Sequence, residues 1–255
     1  MMTLELHGPD TFVGVGPKYP WGGLYGGQIV AQGLRAAAAT VDDGYQVHSL
    51  HAYFIRRGDH DEPIRFEVER LRNGRSFVTR SVVARQAVGA ILQMSASFQR
   101  PESGPTVERA VAPTIARPDD APSNQWSEMF DGHKVAEPGH LTNWFRMTEP
   151  IGDDPLLQAC ALAYVSDDTP CDTVASQHPD ATPGDGDGDD HDGWMVASLD
   201  HAIWFHRTPT LDDWLLTDTL CHGLLSSRGL AVANAFDTAG NHVATFAQEV
   251  LVRHR

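Results

Sequence analysis

Apolar and polar residues alternate along much of this chain with the period of β-strands. Ile64, Phe66 and Val68 alternate with Arg65, Glu67 and Glu69, and Leu92, Met94, Ala96 and Phe98 are spaced by two in the same way. This is the pattern of antiparallel strands with one buried face. After a short opening strand, strands are expected at about 46–56, 63–71, 75–86 and 90–99, with Asn73-Gly74 as a hairpin turn. One early stretch has a different period. Ile29–Thr40 is Ala-rich and proline-free, with apolar residues at helical spacing, and predicts a helix beginning near Gly26. Paired glycines lie at its mouth, in Trp21-Gly22-Gly23-Leu24-Tyr25-Gly26-Gly27-Gln28. They expose backbone N–H groups at a positive helix end, which can hold a carbonyl oxygen or phosphate, so Gly26, Gly27 and Gln28 are candidate substrate-binding residues.

The pattern then restarts. Residues 101–123 carry Pro101, Pro105, Pro113, Pro118 and Pro122 and read as a linker. Beyond it come a strand at Leu141–Met147, a helix opened by Asp153-Asp154-Pro155 and running to about Val165, and strands at about 195–206, 213–222, 225–236 and 242–253. The second copy echoes the first in sequence: His51-Ala52-Tyr53-Phe54-Ile55-Arg56-Arg57 lines up with His201-Ala202-Ile203-Trp204-Phe205-His206-Arg207, and Ala96–Gln99 with Thr245–Gln248. A repeat of this length suits two copies of a small α+β domain, each a sheet wrapped around one long helix. The expected organisation is an N-terminal domain at 1–104, a linker at 105–138 and a C-terminal domain at 139–255, with a solvated acidic loop at 172–193.

Composition narrows the function. A net charge of −15 disfavours non-specific contact with nucleic acid or an anionic membrane, and any phosphate on a ligand would be met by the arginines, 17 against two lysines. No run approaches the roughly 18 apolar residues of a membrane span. Three cysteines and no visible signal peptide fit a reducing cytoplasm.

Several motifs are weighed and set aside. Asp185-x-Asp187-x-Asp189 begins like a calcium loop but has Asp190 where Gly is needed and Val196 where Glu is needed. His201 and His206 are an odd offset apart on a strand and so face opposite ways. No metal site is expected. There is no G-x-S-x-G elbow, and Gly14-Val15-Gly16 lacks the rest of a dinucleotide loop. Three polar residues of the second copy remain: Asp167 at a helix C-terminus, Ser198 at the start of a strand and Gln248 in the last strand. A sheet wrapping the helix would let them converge in a partly apolar pocket, where a carboxylate is a more effective base than in water. On spacing alone the commoner account is a helix-end Asp, a strand-surface Ser and a Gln bonded to backbone.

Six segments in order shift that balance: Gly26–Gln32, His48–Phe54, Arg72–Phe77, Ala96–Gln99, Ser198–Arg207 and Gln248-Glu249. Together they resemble the acyl-CoA thioesterase II family over nearly the whole chain. The resemblance implies two fused hotdog domains and hydrolysis of acyl-CoA by a water held between Asp, Thr or Ser, and Gln, without a cofactor. Carried over, these roles fall on Asp167, Ser198 and Gln248. The chain departs from the family in its acidic insertion after Asp167 and its brief flank before Gly26. In the first copy, His48 stands in the place of Ser198 and no carboxylate follows the helix, so that copy is expected to be silent and to keep only Gln99. Two rivals stay open: a non-catalytic acyl-CoA binding protein, and an enoyl-CoA hydratase using Asp43 and His48. Free sheet edges leave homo-oligomerisation open.

Overall fold

Strand alternation builds one large antiparallel sheet. The computed structural model describes residues 2–115, 126–137, 139–181 and 194–254. Its strands are β1 (Glu5–Gly8), β2 (Thr11–Gly14), β3 (Gln46–Phe54), β4 (Ile64–Asn73), β5 (Phe77–Gln86), β6 (Gly89–Gln99), β7 (Phe130–Glu137), β8 (His140–Met147), β9 (Trp194–Ser198), β10 (Asp200–Phe205), β11 (Leu215–Leu225), β12 (Arg228–Phe236) and β13 (His242–His254). Their spatial order is β1-β2-β4-β5-β6-β3-β10-β13-β12-β11-β8-β7, with β9 paired to β13. Read outward from the central β3–β10 seam, the two halves follow matching paths.

Two differences from the sequence reading concern boundaries. β7 lies inside the stretch expected to be linker and pairs along the length of β8, from Phe130 opposite Met147 to Glu137 opposite His140. The stretch expected to be a loop from residue 172 begins as helix: α3 spans Thr169–Ala175 and buries Thr173, Val174 and Ala175. Val174 and Ala175 pack with Trp194, Ala231, Val250 and Val252, so apolar burial outweighs the acidic composition that follows. The aspartates at 185–192 lie outside the described residues.

The concave side of the sheet holds α1 (Gly26–Ala38) and α2 (Pro155–Val165), packed on each other. Asp154 caps α2 by accepting the Leu156 N–H, with Pro155 in the first turn. Both helices are rich in alanine, which lets them approach closely and run in opposite directions. The N-terminus of α1 therefore meets the C-terminus of α2. Gly26 and Gly27 are needed there for space. A Cβ on Gly26 would lie 2.5 Å from Asp167 Oδ2, and one on Gly27 would lie 2.6 Å from the Tyr25 ring and closer still to the Tyr164 carbonyl. The far end of α1 is closed by Arg80, which is buried in β5 and donates to the hydroxyl and carbonyl of Thr40.

Candidate active site

The seam shows how the halves are related. Ala52 of β3 lies opposite His201 of β10, and His51 opposite Ala202. Opposed residues share a face, and His201 is fully buried while His51 is exposed. The His-Ala identity thus aligns residues that point opposite ways. Keeping both faces requires a shift of one residue, which equates Leu50 with His201 and Val47 with Ser198. Ala96, the partner of Leu50, then corresponds to Gln248, which sits beside His201. The expected match of Gln99 to Gln248 and of His48 to Ser198 is replaced by this register.

A β-bulge confirms the shift and shapes the site. Ser198 is opposite Val250 and Ala202 is opposite Ala247, so three residues on one strand face two on the other. The related slip in β3 falls between Val47 and Ser49. A bulge reverses the alternation beyond it. Ser198 and His201, an odd three apart, therefore both turn toward the helices.

Asp167 follows the C-terminus of α2, where the helix dipole by itself disfavours an anion. Its carboxylate is held by the opposite end of the other helix: Gly27 N–H donates to Oδ2 at 2.8 Å. Ser198 Oγ donates to Oδ1 at 3.2 Å, and Gln248 Nε2 donates to Ser198 Oγ at 2.7 Å. Asp167, Ser198 and Gln248 thus lie in one connected group. Burial pushes the Asp167 carboxyl up to about 7, and hydrogen bonding from Ser198, Gly27 and Gln248 works against that rise. The neighbouring Asp168 is differently placed. It accepts from Trp126 Nε1 at 2.8 Å and pairs with Lys134 at 3.2 Å. Of two adjacent carboxylates, one faces a cation and the other, among the described residues, faces neutral donors.

Among the substrate-binding candidates, Gly27 N–H is directed at Asp167, and the Gln28 side chain is buried, accepting from Tyr19 Oη at 2.7 Å. The Gln28 backbone N–H belongs to a first turn that lacks intrahelical acceptors. Tyr25 donates its hydroxyl to the Tyr164 carbonyl at 2.7 Å, tying the two helix ends together. Cys171 lies 3.5 Å from Ser198 Oγ. Sequence reasoning missed Cys171, Lys134 and, above all, His201, which it weighed only as a metal ligand. The available signal was its place two residues after Ser198-Leu199 in a segment otherwise typical of a buried strand.

Asp43 and His48 lie elsewhere. They line an open cavity of about 680 Å³ at the opposite helix ends, together with Val47, Phe98, Leu156 and Phe205. The His48 ring is bonded there to Ser97 Oγ at 2.8 Å. Among the described residues, one group, Asp59-His60-Asp61, could bring metal-ligand atoms together, on an exposed turn where Asp61 pairs with Lys18.

A continuous sheet cradling two antiparallel helices, with a buried carboxylate where they meet, is the architecture of a hotdog protein. A conserved protein from Alicyclobacillus acidocaldarius described as having a hot dog fold shares it, with a TM-score of 0.80 over 100% of this chain and 97% of that one at 18% identity. The particular family follows from sequence. Residues 16–99 match the acyl-CoA thioesterase N-terminal domain and residues 95–252 the acyl-CoA thioesterase C-terminal domain. Acyl-CoA thioesterase 2 of Haemophilus influenzae is 34% identical over 90% of this chain and 87% of its own. Human acyl-coenzyme A thioesterase 8 is 31% identical over 99% and 88%. The crystal structure of acyl-CoA thioesterase II TesB2 from Mycobacterium marinum superposes with a TM-score of 0.84 at 37% identity, covering 100% of this chain and 96% of that one. The chain belongs to the acyl-CoA thioesterase family.

Proposed function

We propose that this protein hydrolyses acyl-CoA thioesters to free fatty acid and CoA, using a water activated by Asp167, Ser198 and Gln248. The observation that carries this reading is the Asp167 carboxyl itself: buried, raised to about 7 and linked to Ser198 and to the N-terminus of α1. A carboxylate with that affinity for protons is a stronger base than one in water. Water placed against Asp167 and Ser198 gives up a proton to Asp167 as its oxygen bonds to the thioester carbonyl carbon. The carbonyl oxygen takes up the negative charge, with the Gln28 N–H at the positive end of α1 as a candidate donor. Collapse breaks the C–S bond, and the proton held by Asp167 passes to the departing CoA thiolate.

The reading includes two hotdog units, each with its own helix, and one reactive site per chain. Val47, Leu50 and Ala96 stand where the second half has Ser198, His201 and Gln248, which supports a silent first half. It further places the enzyme in the cytoplasm, free of any cofactor; no helix among the described residues is long and apolar enough to cross a membrane. Self-association would use the outer strands β1 and β7. The test is release of free thiol from acyl-CoAs of graded chain length by the wild type and by Asp167→Asn. Turnover that Asp167→Asn loses is the expected result. Binding of acyl-CoA without thiol release would replace the hydrolase with a binding protein.

A further inference from the structure

We propose that His201 is a positioning residue of this site, fixing the side-chain amide of Gln248 so that its nitrogen faces Ser198 and the Ser198 hydroxyl points at Asp167. The inference rests on the reading of Asp167, Ser198 and Gln248 as the reactive group.

The direction of each hydrogen bond carries the argument. Gln248 Oε1 lies 2.5 Å from His201 Nδ1. An amide oxygen only accepts, so Nδ1 carries the proton. The other ring nitrogen, Nε2, is then an acceptor and lies 2.8 Å from Ser166 Oγ; that hydroxyl also lies 3.2 Å from the Ala163 carbonyl, and in this tautomer it gives its one proton to the nearer Nε2. With its oxygen held by His201, Gln248 has only N–H bonds to offer on its other side, and these go to Ser198 Oγ at 2.7 Å and toward Cys171 Sγ at 3.7 Å. Ser198 Oγ accepts from Gln248 and directs its own single proton to Asp167 Oδ1 at 3.2 Å, a carboxylate oxygen that can only accept. The polarity of the chain Ser166–His201–Gln248–Ser198–Asp167 is therefore set by the His201 tautomer. Were the proton on Nε2 instead, the Gln248 amide would turn over, Ser198 would donate to its oxygen, and Asp167 would lose that bond.

Burial keeps the ring in one form. His201 has no exposed surface, and desolvation pushes its pKa down to about 4, so the imidazole is neutral at any pH where Asp167 could act as a base. The fold does not demand this polarity. The related positions in the first half are Leu50 and Ala96, buried and apolar on the same sheet face. Burying an imidazole and an amide where a leucine and an alanine suffice costs stability unless every bond is made. The polar pair is present only beside the carboxylate.

His201→Leu, His201→Asn and Asp167→Asn are to be compared by steady-state thiol release from one acyl-CoA, with thermal melting of each. The Asn amide nitrogen falls near the place of Nδ1 and restores a donor to Gln248. His201→Leu is expected to lower kcat by about 10- to 100-fold, the scale of losing an aligned hydrogen bond to a charged group. KM should move less than about twofold, since the bond matters in the reaction rather than in binding. His201→Asn should recover most of kcat. Should His201→Leu not fold, Ser166→Ala, which removes the partner of Nε2, reports on the same chain and should lower kcat about threefold or more at unchanged KM. Wild-type kcat in His201→Leu, or no recovery in a folded His201→Asn, would overturn the positioning role. Full activity in Asp167→Asn would instead overturn the reading on which it rests.

Discussion

The two ends of the helix pair are the same place in the two halves of the molecule, and they have been furnished in opposite ways. At one end α1 begins against the end of α2, and the space is filled: Gly26 and Gly27 admit Asp167, which meets Ser198 and, through it, Gln248 and His201. At the other end α2 begins against the end of α1, and an open cavity of about 680 Å³ is left. Its related positions hold Val47, Leu50 and Ala96, and α2 starts with Pro155 and Leu156 in place of two glycines. The backbone is shared, down to a bulge in the seam strand of each half. What differs is the chemistry of a few inward side chains and the room made for them. Two halves built on the same strand path can both stay folded while one of them holds a desolvated carboxylate.

The comparison is broken most directly by Asp167→Asn, which should lower kcat by about 10²- to 10⁴-fold, the usual contribution of a positioned base, measured as thiol release. Ser198→Ala should cost less, about 10- to 100-fold, because Gly27 still holds the carboxylate. Gly27→Ala attacks the packing beneath the chemistry. Its methyl would collide with the Tyr164 carbonyl and the Tyr25 ring, so destabilisation of about 1–3 kcal/mol is expected in denaturant unfolding, with loss of turnover as the helices separate. The pH dependence sharpens the contrast. In the proposed mechanism Asp167 must be ionised, and its folded pKa is raised from 3.8 to about 7, so kcat/KM should climb as pH rises through about 7. Stability should run the other way. The unfolded chain releases this proton near 3.8 and the folded chain holds it to about 7, so the folded state binds more protons across that window and loses stability as pH rises. Asp167→Asn should flatten both profiles. The smallest effect is expected at the other end, proposed to be silent, where His48→Ala should change kcat by less than about twofold, since the His48 ring is bonded there to Ser97 and not to Asp167 or Ser198. A large loss would restore a catalytic role to the first half.

Much of this was legible in the residues. The period-two alternation gave β4, β5 and β6 nearly to their ends, and the Ala-rich stretch behind Gly26 gave α1. Ser198–Arg207 read as a single strand because nothing local marks the bulge at Leu199 and Asp200; Asp200 stabilises it by accepting the Glu249 N–H at 2.7 Å. The same bulge misled the comparison of the repeats, which matched His51 to His201 by identity although the two point to opposite faces. β7 was hidden by its proline-rich surroundings, and α3 by the aspartates that follow it.

By itself the sequence determined most of the strands, both long helices, the restart of the pattern in a second half, and the three polar residues worth asking about, because hydrophobic period and helix capping act over a few neighbouring residues. The tertiary structure alone decided that Asp167 rather than Asp168 is the unpaired carboxylate, that Gly27 reaches it from 140 residues away, and that His201 belongs to its network. Those outcomes depend on which helix end is laid against which and on one extra residue in a strand. Charge, burial and hydrogen-bond direction are properties of the space so formed, and they have no counterpart in the spacing of residues along the chain.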